Sequence, residues 1–204
     1  MGMFITIEGI EGTGKSTVIN AIREHLDHEG LDYLITREPG GTPIAEAIRK
    51  VLLSHYDEKM CPETELMLYF AGRAQHLVQH VIPALKAGKI VVSDRYVDAS
   101  YAYQGGGRGI SEAKIDALVA ALPESLMPDR TLLFDAPVEV GMKRMNARGE
   151  KDRMEIEKID FFERVRQTYL RRAKQFPKQY RVIDASQEIA LVIKNAIEQI
   201  QDLL

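Results

Sequence analysis

Residues 9–16 read Gly9-Ile10-Glu11-Gly12-Thr13-Gly14-Lys15-Ser16, a G-x-x-x-x-G-K-[ST] spacing, and the flanking residues decide what that spacing means. Before it, Met3-Phe4-Ile5-Thr6-Ile7-Glu8 is apolar and β-branched, the composition of a buried strand. After it, Val18, Ile19, Ile22 and Leu26 recur at the period of a helix. A glycine loop between a strand and a helix turns consecutive backbone N–H groups inward at the positive end of the helix dipole, and that concavity binds a polyphosphate. Gly9, Ile10, Glu11, Gly12, Thr13, Gly14, Lys15, Ser16 and Thr17 therefore form a candidate cradle for a nucleoside triphosphate. Lys15 can reach the β- and γ-phosphates, and the Ser16 hydroxyl can coordinate Mg2+.

The rest of the chain repeats the alternation. Strand-like runs at 3–8, 31–36, 89–93, 130–135 and 180–183 are separated by helical patterns at 15–28, 43–54, 63–86, 111–121, 137–147, 156–175 and 187–203. This order predicts an α/β fold: a five-stranded parallel sheet with helices on both faces, and a site at the carboxyl ends of the strands. The charged residues fall where that rule requires them. Glu8 and the glycine loop end the first run, Thr36-Arg37-Glu38 the second, Ser93-Asp94-Arg95 the third, Asp135 the fourth and Asp184 the fifth. With 204 residues and no repeat, low-complexity tract or linker, a single domain is expected.

Composition narrows the partners. A net charge of −3 gives no general attraction to nucleic acid or to an anionic membrane, so any functional cations must act locally. No apolar run approaches the roughly 20 residues that span a bilayer, and the N-terminus lacks a basic region followed by an apolar one. The single cysteine, Cys61, precludes an internal disulfide or a cysteine metal cluster and reads as incidental before Pro62 at a helix start. The expectation is a soluble cytoplasmic protein.

Two charged stretches are more specific. Segment 141–154 carries Lys143, Arg144, Arg148, Lys151 and Arg153, with Gly149 breaking the helical pattern. It is either a solvated helix face or a lid that closes arginines onto transferring phosphates, and its place after a strand-end aspartate favours the lid. Asp94-Arg95-Tyr96 follows the apolar run Ile90-Val91-Val92. Asp94 can act on Mg2+ or its waters while Arg95 clamps a phosphate, or the two form a structural ion pair at a strand end. The absence of an N-K-x-D guanine-reading motif weighs against a GTPase switch.

Three further stretches stand in order with the glycine loop: Arg37-Glu38-Pro39-Gly40-Gly41-Thr42, Phe70-Ala71-Gly72-Arg73-Ala74-Gln75-His76, and Asp94-Arg95-Tyr96-Val97-Asp98-Ala99-Ser100-Tyr101-Ala102-Tyr103-Gln104. With them the chain resembles, over nearly its whole length, the thymidylate kinases, nucleoside monophosphate kinases that make dTDP from dTMP and ATP. The stretch Arg148-Gly149-Glu150-Lys151-Asp152-Arg153 resembles the bacterial form, in which the lid and not the glycine loop carries the catalytic arginine. Consistent with that, the glycine loop has Glu11 and no basic residue among its variable positions.

The resemblance implies a role for each matched residue. Phe70 stacks on thymine and Arg73 hydrogen-bonds its edge; residue-level reasoning leaves Phe70 open to core packing beside Leu66, Leu68 and Tyr69, although Arg73 at i+3 shares its face. Ser100 lies against the base, Tyr103 against the sugar where a ribose 2′-hydroxyl would sit, and Gln104 in the nucleoside pocket. Arg37 and Arg95 hold the monophosphate, and Glu11 approaches the 3′-hydroxyl. Glu38 is read equally as a ligand and as a cap of the Pro39-Gly40-Gly41 turn, while His76, Tyr96 and Tyr101 stay open between structural and functional roles. Asp184-Ala185-Ser186 borders adenine. Mg2+ is held by Ser16 and, through water, by Asp94. Lys15, Arg95 and a lid arginine, Arg153 or Arg148, bracket the migrating phosphoryl group. A homodimer through helix faces is also implied, with Leu77, Val78 and Ile82 ample for both core and interface.

Overall fold

The computed structural model describes residues 2–124, 126–147 and 152–204. Its five strands, β1 (Met3–Glu8), β2 (Tyr33–Arg37), β3 (Ile90–Asp94), β4 (Arg130–Asp135) and β5 (Tyr180–Asp184), form one parallel sheet in the order β2-β3-β1-β4-β5. The connecting helices are α1 (Lys15–His28), α2 (Pro43–Leu53), α3 (Pro62–His76), α4 (Ile82–Lys86), α5 (Val97–Ser100), α6 (Glu112–Ala120), α7 (Val138–Asn146), α8 (Ile159–Gln175) and α9 (Ile189–Gln201). β1 lies at the centre, with Ile5 opposite Val92 on β3 and Ile7 opposite Leu132 on β4. The expected fold class is the observed one.

The apolar runs of β1, β3 and β4 have no polar alternation because both faces are covered. Ile5, Ile7, Val92 and Phe134 pack against Val18, Ile22 and Leu26 of α1 and Val192, Ala196 and Ile200 of α9. On the opposite face, Phe4 and Val91 meet Leu66, Phe70 and Leu77, while Leu133 meets Phe162, Val165 and Tyr169 of α8. Each such buried aliphatic or aromatic side chain contributes about 1.5–3 kcal/mol. Because β1 is central and its neighbours are reached by connections running to opposite sides, the glycine loop that follows it opens at the switch point of the sheet, where this architecture leaves a crevice.

One helical expectation changes, and one helical stretch was not expected at all. The pattern over 63–86 is broken by a π-helical turn, Leu77–Val81, in which the Ile82 N–H donates to the Leu77 carbonyl. Pro83 supplies the reason: it has no N–H to donate and its ring crowds the carbonyl four residues earlier. Downstream, α5 runs directly into a second π-helical segment, Tyr101–Gly107, despite three consecutive glycines. Those glycines let α8 come close, since a Cβ on Gly106 or Gly107 would collide with Thr168 or Phe161. α2 starts where Thr42 Oγ1 accepts from the Ala45 N–H at 3.3 Å, with Pro43 at the first helical position.

Candidate active site

A cavity of about 560 Å³ opens at the carboxyl ends of β1, β2 and β3. One wall is the glycine loop. Gly12 and Gly14 have φ of 74° and 85°, a region that a side chain strains, and a Cβ on Gly12 would strike the Gly141 carbonyl of α7. Lys15 Nζ donates to the carbonyls of Gly9 at 3.0 Å and Ile10 at 2.8 Å, and Thr13 Oγ1 donates to Ile10 at 2.8 Å. Burial, helped by nearby Arg95, lowers the Lys15 pKa to about 8.

Opposite the loop stands Arg95, just after β3, with φ of 73°. A left-handed residue with a Cβ is costly and needs support. The Arg95 N–H donates to Ile7 O at 2.9 Å, Ser93 Oγ donates to Arg95 O at 2.7 Å, and the next N–H, from Tyr96, donates to Glu8 Oε1 at 2.7 Å. The guanidinium is equally fixed: Nη2 donates to Glu11 Oε1 at 2.8 Å, Nη1 donates to Tyr169 Oη at 3.2 Å, and Cζ lies 4.7 Å from the Tyr103 ring centroid. Tyr169 Oη donates on to Glu8 Oε2 at 2.6 Å. Burial, together with Asp98, raises the Glu8 pKa to about 8.

At the far end, Arg73 is buried among fixed partners. Nε donates to Glu38 Oε2 at 2.6 Å, Nη1 to Ser100 Oγ at 3.0 Å and Nη2 to Tyr96 O at 3.0 Å. Glu38 Oε1 pairs with His76 Nδ1 at 3.0 Å, and His76 Nε2 lies 2.6 Å from Thr36 Oγ1. Burial pushes the Glu38 carboxyl up, but Arg73 and His76 outweigh it and hold the pKa below the usual carboxylate value. Glu38 is thus the counter-ion of Arg73. The turn after it is capped instead by Glu46, which accepts from the Gly41 N–H at 2.9 Å and from Arg37 Nη2 at 3.0 and 3.1 Å.

The cavity wall brings together Glu11, Gly12, Thr13, Gly14, Lys15, Ser16, Thr17, Arg37, Arg73, Asp94, Arg95, Ser100, Tyr103 and Gln104 of the expected set. Gly9 and Ile10 lie beneath the loop, with Ile10 in the core. Phe70 is buried in the α3 core with the Arg73 guanidinium 4.7 Å from its ring centroid, while its neighbour Tyr69 faces the cavity. Arg153 lies off the wall, its Nη1 2.7 Å from Glu65 Oε2 and its Nε donating to Leu52 O at 2.8 Å. Arg148 lies outside the described residues. Arg49, Arg144 and Tyr69 line the cavity without having been expected there. Arg144 had a signal, since it belongs to the cationic stretch; Arg49 and Tyr69 only continue helical patterns.

Asp94 forms no ion pair with Arg95 among the described residues. Its Oδ1 is buried without a hydrogen-bond partner, on the same wall as the Ser16 hydroxyl. An orphaned carboxylate oxygen that shares a cavity wall with a hydroxyl at a phosphate cradle fits Mg2+ brought in by a nucleotide. Among the described residues no cluster of three His, Cys, Asp or Glu side chains could hold a metal by itself.

The family model for thymidylate kinase matches residues 7–197. A thymidylate kinase of Ectopseudomonas mendocina (strain ymp) is 56% identical over 191 residues, covering 94% of this chain and 91% of the relative. One of Pseudomonas syringae pv. tomato is 51% identical over 203 residues, covering 100% and 97%. The crystal structure of thymidylate kinase from Ehrlichia chaffeensis superposes with a TM-score of 0.79 at 31% identity, covering 98% of this chain and 99% of that one. The glycine loop, the strand-end arginine and the buried Arg73 all lie within the range that the family model matches, and the chain belongs to the thymidylate kinase family.

Proposed function

We propose that this cavity transfers the γ-phosphoryl group of ATP to the phosphate of dTMP, giving dTDP and ADP for dTTP synthesis. The observation that carries this reading is one wall holding a polyphosphate cradle, a fixed arginine and a buried hydrogen-bonding arginine in sequence: Lys15, Arg95 and Arg73. Lys15 takes the β- and γ-phosphates, Arg95 and Arg37 take the monophosphate, and Arg73 with Ser100 meets the base edge. Tyr103 packs under the sugar, Glu11 turns to its 3′-hydroxyl, and Gln104 completes the pocket; the stacking role expected of Phe70 passes to its neighbour Tyr69, which lines the cavity where the core-buried Phe70 does not.

The acceptor phosphate is already an anion, so no strong general base is needed. Transfer passes through a loose transition state, and fixed cations held around the equatorial oxygens supply the acceleration. Ser16 and Asp94 would hold Mg2+, which supplies charge neutralisation of the β- and γ-phosphates.

Segment 141–154 is proposed to act as a lid. Its first part is the end of α7, where Arg144 lines the cavity and donates to Ala185 O at 2.9 Å. Arg153 is read as its anchor, with Nη1 on the Glu65 carboxylate and Nε on the Leu52 carbonyl, while its Nη2 is buried without a hydrogen-bond partner.

A homodimer is proposed through the outer faces of α2, α3 and the π-helical turn that follows α3. Leu77 and Ile82 are consumed by the core, while Ile44, Met67 and Val78 remain exposed and available. No helix among the described residues is long and apolar enough to cross a membrane. A cytoplasmic location is proposed on the single, exposed, free Cys61, which suits a reducing compartment. The direct test is product analysis with ATP, Mg2+ and dTMP: dTDP and ADP should form in equal amounts, and ADP without dTDP would contradict the reading.

A further inference from the structure

Glu65, in the first turn of α3, is a buried carboxylate that gathers donors from three segments. Gln104 Nε2 donates to Oε1 at 2.9 Å, Arg108 donates through Nε and Nη2 at 3.1 Å each, and Arg153 Nη1 lies 2.7 Å from Oε2. Arg108 also donates to Glu157 at 2.5 Å. Glu65 is not on the cavity wall, but Gln104 is.

A carboxylate facing two guanidinium groups is ionised and can only accept hydrogen bonds. The Gln104 amide must therefore turn its NH2 toward Glu65, which leaves the carbonyl oxygen as the end it offers to the cavity. Glutamine alone is indifferent: flipped one way it presents an acceptor, flipped the other way a donor. An acceptor suits a pyrimidine with N3–H, such as thymine or uracil, and opposes cytosine, whose N3 is itself an acceptor.

We propose that Glu65 is a positioning residue for base selection: by fixing the Gln104 amide it makes the cavity read an N3–H donor, and by holding Arg108 and Arg153 it ties that reading to the segment carrying residues 152–157. This inference rests on the reading of the cavity as a dTMP site.

The test compares kcat/KM for dTMP with kcat/KM for dCMP, because a merely structural defect lowers both together and leaves their ratio alone. In Glu65→Gln the amide of Gln104 can flip, and the dTMP:dCMP ratio should fall at least about 10-fold with the ATP KM changed less than about twofold. Glu65→Asp keeps the charge that balances Arg108 and Arg153 but withdraws the carboxylate from Gln104, so it should show the same loss of ratio in a chain that still folds. In a Gln104→Leu background, either change at Glu65 should alter the ratio by less than about twofold, since its intermediary is gone. A wild-type ratio in Glu65→Asp, or a loss that persists in the Gln104→Leu background, overturns the proposal while leaving dTMP turnover intact. Absence of dTMP turnover in the unmodified protein overturns the cavity reading and this proposal together.

Discussion

Arg95 and Glu11 meet at 2.8 Å on the cavity wall, and the Tyr103 hydroxyl donates to the same carboxylate at 2.7 and 2.8 Å. The arginine is thus aimed by three partners, Glu11, Tyr103 and Tyr169, from a backbone conformation that Glu8 and Ile7 hold in place. Such preorganisation gives a phosphate-binding cation its effect on a transition state, because little reorganisation remains at the moment of transfer.

Arg95→Ala should therefore lower kcat/KM for dTMP at least about 10²-fold, the scale of losing one charge-stabilising donor. Steady-state kinetics with dTMP varied at saturating ATP checks this. Wild-type turnover with unchanged dTMP affinity would remove Arg95 from the phosphate site.

Arg153→Ala separates two roles. Since Arg153 is held by Glu65 and Leu52 O, its loss should lower Tm while kcat stays within about fivefold, in line with an anchoring group that makes no transition-state contact. Thermal melts and single-turnover rates decide it. An unchanged Tm with a hundredfold fall in kcat would return this arginine to the phosphates.

Lys15 makes nucleotide binding proton-linked. Burial and Arg95 lower its pKa to about 8, and a triphosphate beside the ammonium raises it again. Near pH 8 binding should take up about half a proton, falling toward none at pH 6.5. Calorimetry in buffers of different ionisation heats measures the uptake; an equal value at both pH values would refute the linkage.

Glu8 and Lys15 act on stability in opposite windows. The folded pKa of Glu8 is raised to about 8, so its contribution is full below the unfolded value and is lost as pH rises to about 8. Lys15 is depressed to about 8, so its contribution is full above the unfolded value and is lost as pH falls through about 8. Glu8→Gln should therefore gain on the wild type between pH 5 and 8 by at least ~1 kcal/mol, roughly 3 °C in Tm. A pH-independent difference in Tm would contradict this.

Arg73 and Glu38 have side chains only 1% and 3% exposed. Glu38→Ala should cost about 3–5 kcal/mol by leaving a buried guanidinium unpaired. Denaturant unfolding gives the value, and a loss below about 1 kcal/mol would show that Arg73 finds another partner.

How much of this was legible follows from how local each signal was. The glycine loop and the five strand ends are contiguous features, read directly from apolar runs and the charges that close them, and the sheet places them on one edge. The Glu38–Arg73–His76 network joins the loop just after β2 to α3 across 38 residues of sequence, and no spacing announces it. Glu65 looks like an ordinary acidic residue in a first helical turn, since its meaning comes from Gln104, Arg108 and Arg153 arriving from elsewhere. The helical course of Tyr101–Gly107 opposes glycine propensity and is bought by close packing on α8.

The most direct test of the central claim is ADP release from ATP and Mg2+ with dTMP, dUMP, dCMP, dGMP, AMP and CMP in parallel. The account predicts the highest kcat/KM for dTMP, dUMP a weak second, and the others far below. A preference for any other nucleotide would contradict the assignments of Arg73, Ser100, Tyr103 and Gln104, and no turnover with any acceptor would contradict the kinase reading itself.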